Sequence, residues 1–127
     1  MFLIIDGSED GKIIFVYSVG KIWKKKEHKD PKNKGVLFFL NSFLAKAGKK
    51  IFVLEGLAVV VGVGRFTATR VVVTIANTLA YVFKIPVVGI GKDFDPDEVA
   101  SLIKKAPIGL YVSAKYSGEA NIGKVKI

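Results

Sequence analysis

An aspartate, a glycine and a serine follow one another close to the amino terminus, directly after a short apolar run. An aspartate at the end of a strand is compatible with a loop that binds magnesium or phosphate, so we predict Asp6 and Ser8 as a candidate phosphate site. Glu9 and Asp10 come next, in a turn where acidic side chains are common for structural reasons alone. A solvated turn is the alternative interpretation of these two acids.

A second segment that could bind an anion is the run GVGRFTATR at residues 62–70. Gly62 and Gly64 suit a sharp exit from a strand into a helix, because glycine adopts backbone angles that other residues disfavour. Backbone N–H groups at the start of a helix attract anions, and Arg65 and Arg70 would add positive charge. The alternative is a structural loop that binds no ligand. In it Phe66 packs against the protein, Thr67 caps the helix and Arg70 braces the turn.

Other kinds of catalysis lack the residues that they need. The sequence has no cysteine and one histidine, His28, so zinc and thiol chemistry have neither ligands nor a nucleophile. A serine hydrolase would have to recruit His28 from a charged segment. A two-metal nuclease needs several carboxylates on or after its central strands, and the runs at 57–61 and 86–90 contain none. We therefore expect no enzymatic activity, no metal site and no cofactor.

The order of apolar runs, turns and helix signals predicts one mixed sheet with helices on its faces. Three β-rich runs come first, and helices then alternate with apolar runs typical of strands buried on both sides. The predicted order is βββαβαβαββ, an α/β arrangement of the ribonuclease-H-like type found in each half of actin-like ATPases. Strands are predicted over residues 2–6, 12–19, 22–27, 57–61, 86–90, 108–114 and 122–127, helices over 36–47, 67–83 and 96–105, and a loop over 28–34.

The chain has the length of one domain and a large positive charge. It contains 127 residues, with 20 lysines and arginines against 11 acids and a net charge of +9. The excess lies in residues 21–34 and in the last dozen residues, and basic patches of this kind attract phosphates. The alternative is that lysines on an edge strand prevent aggregation.

Two features concern the compartment. The absence of cysteine fits a reducing environment, and the amino terminus reaches Asp6 without the apolar stretch of a secretory signal. The longest uncharged apolar stretch, residues 71–83, is shorter than the roughly 20 residues that span a bilayer. We expect a cytoplasmic protein without membrane contact.

The glycine-rich segment at 62–70 resembles the Gly-Pro-Gly-Ser-Phe-Thr-Gly-Leu-Arg signature of the TsaB family, also called YeaZ. The strand with Pro86-Val87-Val88-Gly89 follows it in the order typical of that family. The sequence departs from the signature at Val63, Arg65, Ala68 and Thr69. The matching positions, which together with Arg65 make up the family-motif loop, are Gly62, Gly64, Phe66, Thr67 and Arg70.

Both ends of the chain agree with the same family. Residues 4–8 resemble its Ile-Asp-Thr-Ser opening, and residues 110–119 are similar to a later segment, with Ser113 in place of an aspartate. The resemblance covers nearly the whole chain but only about the first half of a usual member. It predicts a single TsaB-like N-terminal domain over residues 1–127, with a C-terminal β-hairpin at 108–127 and the family's second half absent.

The resemblance implies a scaffold rather than a catalyst. TsaB-like proteins are the non-catalytic partners of TsaD in the synthesis of threonylcarbamoyladenosine in tRNA, with the ATPase TsaE as a further component, and a homodimer is expected in isolation. In this family the first two helices contact TsaD or a second copy. Both helices here carry more apolar residues than one face can bury. We predict an indirect contact with tRNA and a partner interface that includes Phe39, Phe43, Thr74, Thr78 and Tyr81.

Two alternatives stay open on the sequence alone. The first is a diverged actin-like module that binds phosphate or a nucleotide as a homodimer, with Asp6, Gly62, Gly64 and Arg65 at its site. Actin-like proteins hold their nucleotide between two similar halves, so one copy by itself is not expected to bind it. The second alternative is a basic module that binds tRNA, whose affinity would depend steeply on salt.

Overall fold

The computed structural model describes residues 1–9, 11–29, 35–46, 54–62 and 66–113. Within these ranges the chain forms five strands and three helices, in an order that confirms the first eight predicted elements. The strands are β1 (Phe2–Asp6), β2 (Lys12–Val19), β3 (Ile22–Lys29), β4 (Gly56–Val60) and β5 (Val87–Ile90), and the helices are α1 (Val36–Lys46), α2 (Phe66–Phe83) and α3 (Pro96–Lys105).

The five strands form one mixed sheet in the order β3-β2-β1-β4-β5. The first three strands make an antiparallel meander, in which Ile5 of β1 lies opposite Phe15 of β2. On the other side of β1, β4 and then β5 run parallel to it, with Ile5 beside Val59 and Val59 beside Gly89. The parallel part needs a helix between successive strands, and α1 and α2 provide these crossovers. The predicted mixed α/β sheet is confirmed.

The two central strands are buried on both faces, which explains why they read as unbroken apolar runs. In β1, Leu3, Ile4 and Ile5 are each 0% exposed, and in β4 Leu57 and Val59 are as well. Alternate side chains enter two cores, one beneath α1 and α2 and the other beneath α3. Burying one such side chain stabilises the fold by about 1.5–3 kcal/mol, so the strand pair anchors both layers.

The start of α3 follows the predicted capping pattern. The Asp95 side chain accepts a hydrogen bond of 3.2 Å from the backbone N–H of Asp97, and Pro96 occupies the first turn. The indole Nε1–H of Trp23 donates to Asp97 Oδ1 at 3.0 Å, which connects the edge strand β3 to this helix. The capping residues therefore fix both the beginning of α3 and its position over the sheet.

The predicted end of the third strand is corrected. β3 extends to Lys29, so His28 lies in a strand and not in a loop. It pairs with Ile13 of β2, and its ring stacks on Phe39 of α1 with centroids 5.0 Å apart. The pairing of His28 with β2 and its packing on α1 outweigh the local charge that suggested a loop.

The strand predicted over residues 108–114 is also corrected for the part that the structure describes. Residues 108–113 lie outside regular secondary structure. The backbone of Val112 is held by a side chain: its N–H donates to Asn77 Oδ1 at 2.9 Å, and its carbonyl accepts from Nδ2 at 2.8 Å. An amide on α2 thus takes the place of a neighbouring strand. Residues 114–127 lie outside the described residues, so the hairpin as a whole stays a prediction.

The close approach of α3 to β4 gives the first testable prediction. A Cβ atom on Gly56 would lie 2.2 Å from Cγ2 of Ile103, which is fully buried. We expect Gly56→Ala to destabilise the fold by about 1–3 kcal/mol through overpacking, and Ile103→Ala by about 2–5 kcal/mol through a cavity. The double variant should lose clearly less than the sum, as measured by urea unfolding.

Gly91 provides the control, since nothing lies within 4 Å of the Cβ that alanine would add there. Gly91→Ala should change the free energy of unfolding by less than about 0.5 kcal/mol. Strict additivity of the Gly56 and Ile103 variants would contradict the proposed contact.

Candidate functional site

Asp6 and Gly62, two of the residues predicted to carry chemistry, lie at one edge of the sheet. Because β1, β4 and β5 are parallel, their carboxyl ends lie side by side, which is where α/β sheets commonly place a binding site. Asp6 is the last residue of β1, and Gly62 follows the end of β4. Lys92, which the sequence analysis did not single out, follows the end of β5.

Asp6 is buried, and both of its carboxylate oxygens are engaged. Asp6 is 5% exposed to solvent. Ser8 donates twice to Oδ1, from its backbone N–H at 2.9 Å and from its hydroxyl at 2.6 Å. The ammonium of Lys92 donates to Oδ2 at 2.8 Å. A buried carboxylate needs such partners, because an unpaired one would lose its hydration without compensation.

Lys92 lies at the centre of a cluster of oxygen atoms. Besides Asp6, its Nζ contacts Ser8 Oγ at 2.9 Å and Glu9 Oε2 at 3.1 Å. Glu9 in turn forms an ion pair of 3.2 Å with Lys12, and Lys12 forms one of 3.4 Å with Glu27 of β3. We call Asp6, Ser8, Glu9 and Lys92 the carboxyl-edge cluster. Its central position is occupied by an ammonium group of the chain itself.

The pKa values of the cluster respond to these contacts. Burial raises the pKa of Asp6, but the hydrogen bonds from Lys92 and Ser8 and the charge of Lys92 outweigh it, so this pKa is lowered. Desolvation lowers the pKa of Lys92, and the contacts with Asp6 and Glu9 outweigh it, so this pKa is raised. Hydrogen bonds from Lys92 and then Lys12 lower the pKa of Glu9. All three groups are charged at neutral pH.

The arrangement favours a structural role for Asp6. With Oδ1 held by Ser8 and Oδ2 held by Lys92, the carboxylate has no oxygen without a donor and its negative charge is already compensated. A general base needs an accessible lone pair and a pKa near neutrality, and neither condition holds here. The cluster ties the ends of β1 and β5 together across β4.

The family-motif loop is described in part. Gly62 has a φ of +86°, a backbone conformation that favours glycine, which agrees with the sharp turn predicted there. Gly64 and Arg65 lie outside the described residues. Phe66 and Thr67 form the first turn of α2, and Arg70 is exposed on the same helix. The anion-binding role predicted for this loop stays a prediction.

The five residues predicted for a partner interface fall into two groups. Phe43 is 5% exposed and packs on Phe15 and Tyr17, with ring centroids 5.2 and 4.7 Å away, so it belongs to the protein's own core. Phe39 is half-buried against His28. The others are exposed on α2, namely Thr74, Thr78 and Tyr81.

The described part of the chain contains neither a metal-binding cluster nor a helix able to span a membrane. There, no three histidine, cysteine or acidic side chains come together in a way that could hold a metal ion. None of the helices in the same ranges has the length and apolar character needed to cross a bilayer.

The ion pair of Asp6 gives a prediction about acid stability. Because the pKa of Asp6 is lowered in the folded state, its carboxylate stabilises the fold at pH values above the unfolded-state pKa of about 3.9. This contribution disappears as the pH falls through the folded-state pKa. At neutral pH, Asp6→Asn should cost about 1–3 kcal/mol, because Lys92 loses a charged acceptor. The free energies of unfolding of the two proteins should therefore converge as the pH falls below the unfolded pKa of Asp6, as followed by thermal unfolding.

Asp93→Asn is the control, because it removes one exposed carboxylate next to the cluster. It should keep the acid-induced loss of stability of the parent protein. A constant difference between Asp6→Asn and the parent at every pH would show that the ion pair does not act as described.

The chain matches the model of one protein family over residues 33–117, and that family is described as TsaD, tRNA N6-adenosine threonylcarbamoyltransferase. None of the curated proteins matches the sequence at a significant level. Two solved structures are similar. YeaZ from Pseudomonas aeruginosa has a TM-score of 0.63 and 20% identity, over 71% of this chain and 44% of that one.

The second structure is described as an uncharacterized protein with similarity to peptidase YEAZ from Pseudomonas aeruginosa, with a TM-score of 0.62 and 20% identity over 71% of this chain and 42% of that one. The chain thus spans less than half the length of either relative. At this identity the likeness concerns the fold, while the family model covers most of the sequence. The chain therefore belongs to the TsaD family, and its α/β fold, of the actin-like, ribonuclease-H-like type, is similar to that of YeaZ.

Proposed function

We propose that this chain is a non-catalytic scaffold in the synthesis of N6-threonylcarbamoyladenosine in tRNA, and that it pairs with TsaD through α1 and α2. Membership of the TsaD family supports a role in threonylcarbamoyladenosine synthesis. The exposed surface of α2 supports pairing with a partner protein as the way in which the chain acts. By this proposal the protein acts in the cytoplasm, contacts TsaE through the complex, and forms a homodimer when TsaD is absent.

The observation that carries the proposal is the composition of the solvent-facing side of α2. Between Arg70 and Lys84 the helix contains no charged residue, although one side of it faces water. Tyr81 is 70% exposed and Val82 is 57% exposed. A surface helix normally presents charged side chains to solvent, so an exposed side without charge is typical of a protein interface. We call this side the α2 surface: Val71, Thr74, Thr78, Tyr81 and Val82.

The neighbouring helix extends the apolar surface. Leu37 and Phe38 of α1 are 52% and 47% exposed, and α1 packs beside α2 on the same face of the sheet. Phe39 and Phe43 point into the core, so Leu37 and Phe38 are the α1 side chains that we assign to the partner surface in their place. Large apolar and aromatic side chains at the centre of such a surface usually contribute most of the binding energy.

The carboxyl-edge cluster supports a role without catalysis. Its carboxylate is saturated by Ser8 and Lys92, and its charges form internal ion pairs. A protein that acts by binding needs this kind of stable framework beneath its partner helices. The contacts between the ends of β1 and β5 hold the sheet on which α2 rests.

A homodimer that binds phosphate or a nucleotide is the second candidate. Asp6, Gly62 and Lys92 lie at the same carboxyl edge, and an ammonium group is a common partner of phosphate. Under this candidate, millimolar magnesium-ATP should raise the midpoint of thermal unfolding by about 5 °C or more, because a ligand of the folded state stabilises it by mass action. The scaffold proposal expects no such shift for this chain alone.

The scaffold proposal is tested by placing a charge in the middle of the α2 surface. Thr78 is exposed, and its hydroxyl donates to the Thr74 carbonyl at 2.8 Å within the helix. Thr78→Glu should weaken the complex with TsaD from the same source by about 100-fold, because the carboxylate would be buried without a partner. The measurements are isothermal titration calorimetry and size-exclusion chromatography with light scattering.

Ser101→Glu is the matched control, since Ser101 is a small exposed hydroxyl residue on α3, across the sheet. It should change the affinity by less than about threefold. If parent and Ser101→Glu proteins fail to bind TsaD at micromolar concentrations, or if Thr78→Glu binds as well as they do, the proposed interface is wrong.

A further inference from the structure

Strand β3 presents an unusual row of positive charge at the edge of the sheet. It pairs with β2 along one side and forms the end of the described sheet on the other. Four of its eight residues are exposed lysines, namely Lys24, Lys25, Lys26 and Lys29. The acid among them, Glu27, is within 3.4 Å of Lys12 and 3.7 Å of Lys25, so its charge is largely compensated.

The lysines stand on both sides of the strand. His28 packs on α1, so Lys24 and Lys26, at alternate positions from it, lie on the α1 side. Trp23 packs in the core beneath α3, so Lys25 and Lys29 lie on the α3 side. Ammonium groups therefore flank the edge on its two sides and can approach a ligand that lies along it.

We propose that this β3 edge binds the phosphate backbone of RNA. The inference rests on the proposed function, which supplies tRNA as the RNA that the complex must hold. The chain has a net charge of +9, and lysines are point charges suited to phosphates without regard to base sequence. Attraction to phosphate is the property that a row of four exposed lysines with one acid among them offers most directly.

The same residues argue against a strand as the occupant of this edge. A second copy pairing along β3 would bring lysines close to lysines, and like charges opposite each other destabilise a strand pair. Lysine on an edge strand is a common means of preventing such pairing. A polyanion meets no such repulsion, because each contact releases counter-ions from its backbone.

The test is binding of fluorescein-labelled tRNA to the full chain alone, measured by fluorescence anisotropy at several salt concentrations. Four phosphate contacts predict a slope of about −3 for the logarithm of affinity against the logarithm of salt, or roughly a 50-fold loss from 50 to 200 mM. A triple variant that removes three of these charges should reduce the slope to about −1 and weaken tRNA binding at least tenfold at about 50 mM salt. Its substitutions are Lys24→Gln, Lys25→Gln and Lys26→Gln.

The control variant removes the same charge from exposed lysines at the ends of α2 and α3: Lys84→Gln/Lys104→Gln/Lys105→Gln. It should keep a slope near −3, whereas an equal loss in both triple variants would show that net charge alone attracts RNA and would overturn the proposal. Displacement of tRNA by poly-glutamate at equal charge would assign the edge to an acidic protein and overturn it as well. TsaD is absent from this experiment, so its result is independent of the interface test.

Discussion

The burial of β1 and β4 on both faces is the constraint on which the rest of the structure depends. Leu3, Ile4 and Ile5 lie beside Leu57, Ala58 and Val59 in parallel register, and none of the six is exposed. Such a pair must be covered from above and below, which requires α1 and α2 on one side and α3 on the other. Parallel register also brings the carboxyl ends of β1, β4 and β5 together, so the carboxyl-edge cluster follows from the core.

The parts of the fold that could be predicted are those encoded by local pattern. Unbroken apolar runs predicted β1 and β4, and Asp95 with Pro96 predicted the start of α3. The errors concern residues whose partners lie in other elements of the fold. His28 joins β3 because Phe39 covers its ring, and Val112 is held by Asn77, thirty-five residues away, and not by a strand. Neither partner can be identified from the residues near it.

In the candidate sites, too, local pattern predicts some residues, whereas others depend on contacts with distant parts of the chain. Thr74 and Thr78 mark the exposed side of α2, because small hydroxyl residues interrupt an otherwise apolar helix at helical spacing. In α1 the apolar residues occur all round, so the sequence does not fix which side faces the sheet; packing buries Phe43 and exposes Phe38. Asp6 was recognisable from its position at the end of β1. Its partner Lys92 was not, because the contact spans eighty-six residues.

The carboxyl-edge cluster and the helix surface are connected through the sheet. Lys92 joins the ends of β1 and β5, and α2 packs on the face of those strands through Val72, Val73 and Ala76. Stability gained at the edge supports the sheet on which α2 packs, and a preformed surface would lower the entropy cost of binding the proposed partner. The ammonium group of Lys92 contacts Asp6, Ser8 and Glu9, so the chain's own side chains connect the carboxyl ends of β1 and β5. The contacts that saturate the Asp6 carboxylate thus stabilise the sheet beneath the α2 surface, which agrees with the scaffold role proposed for the chain.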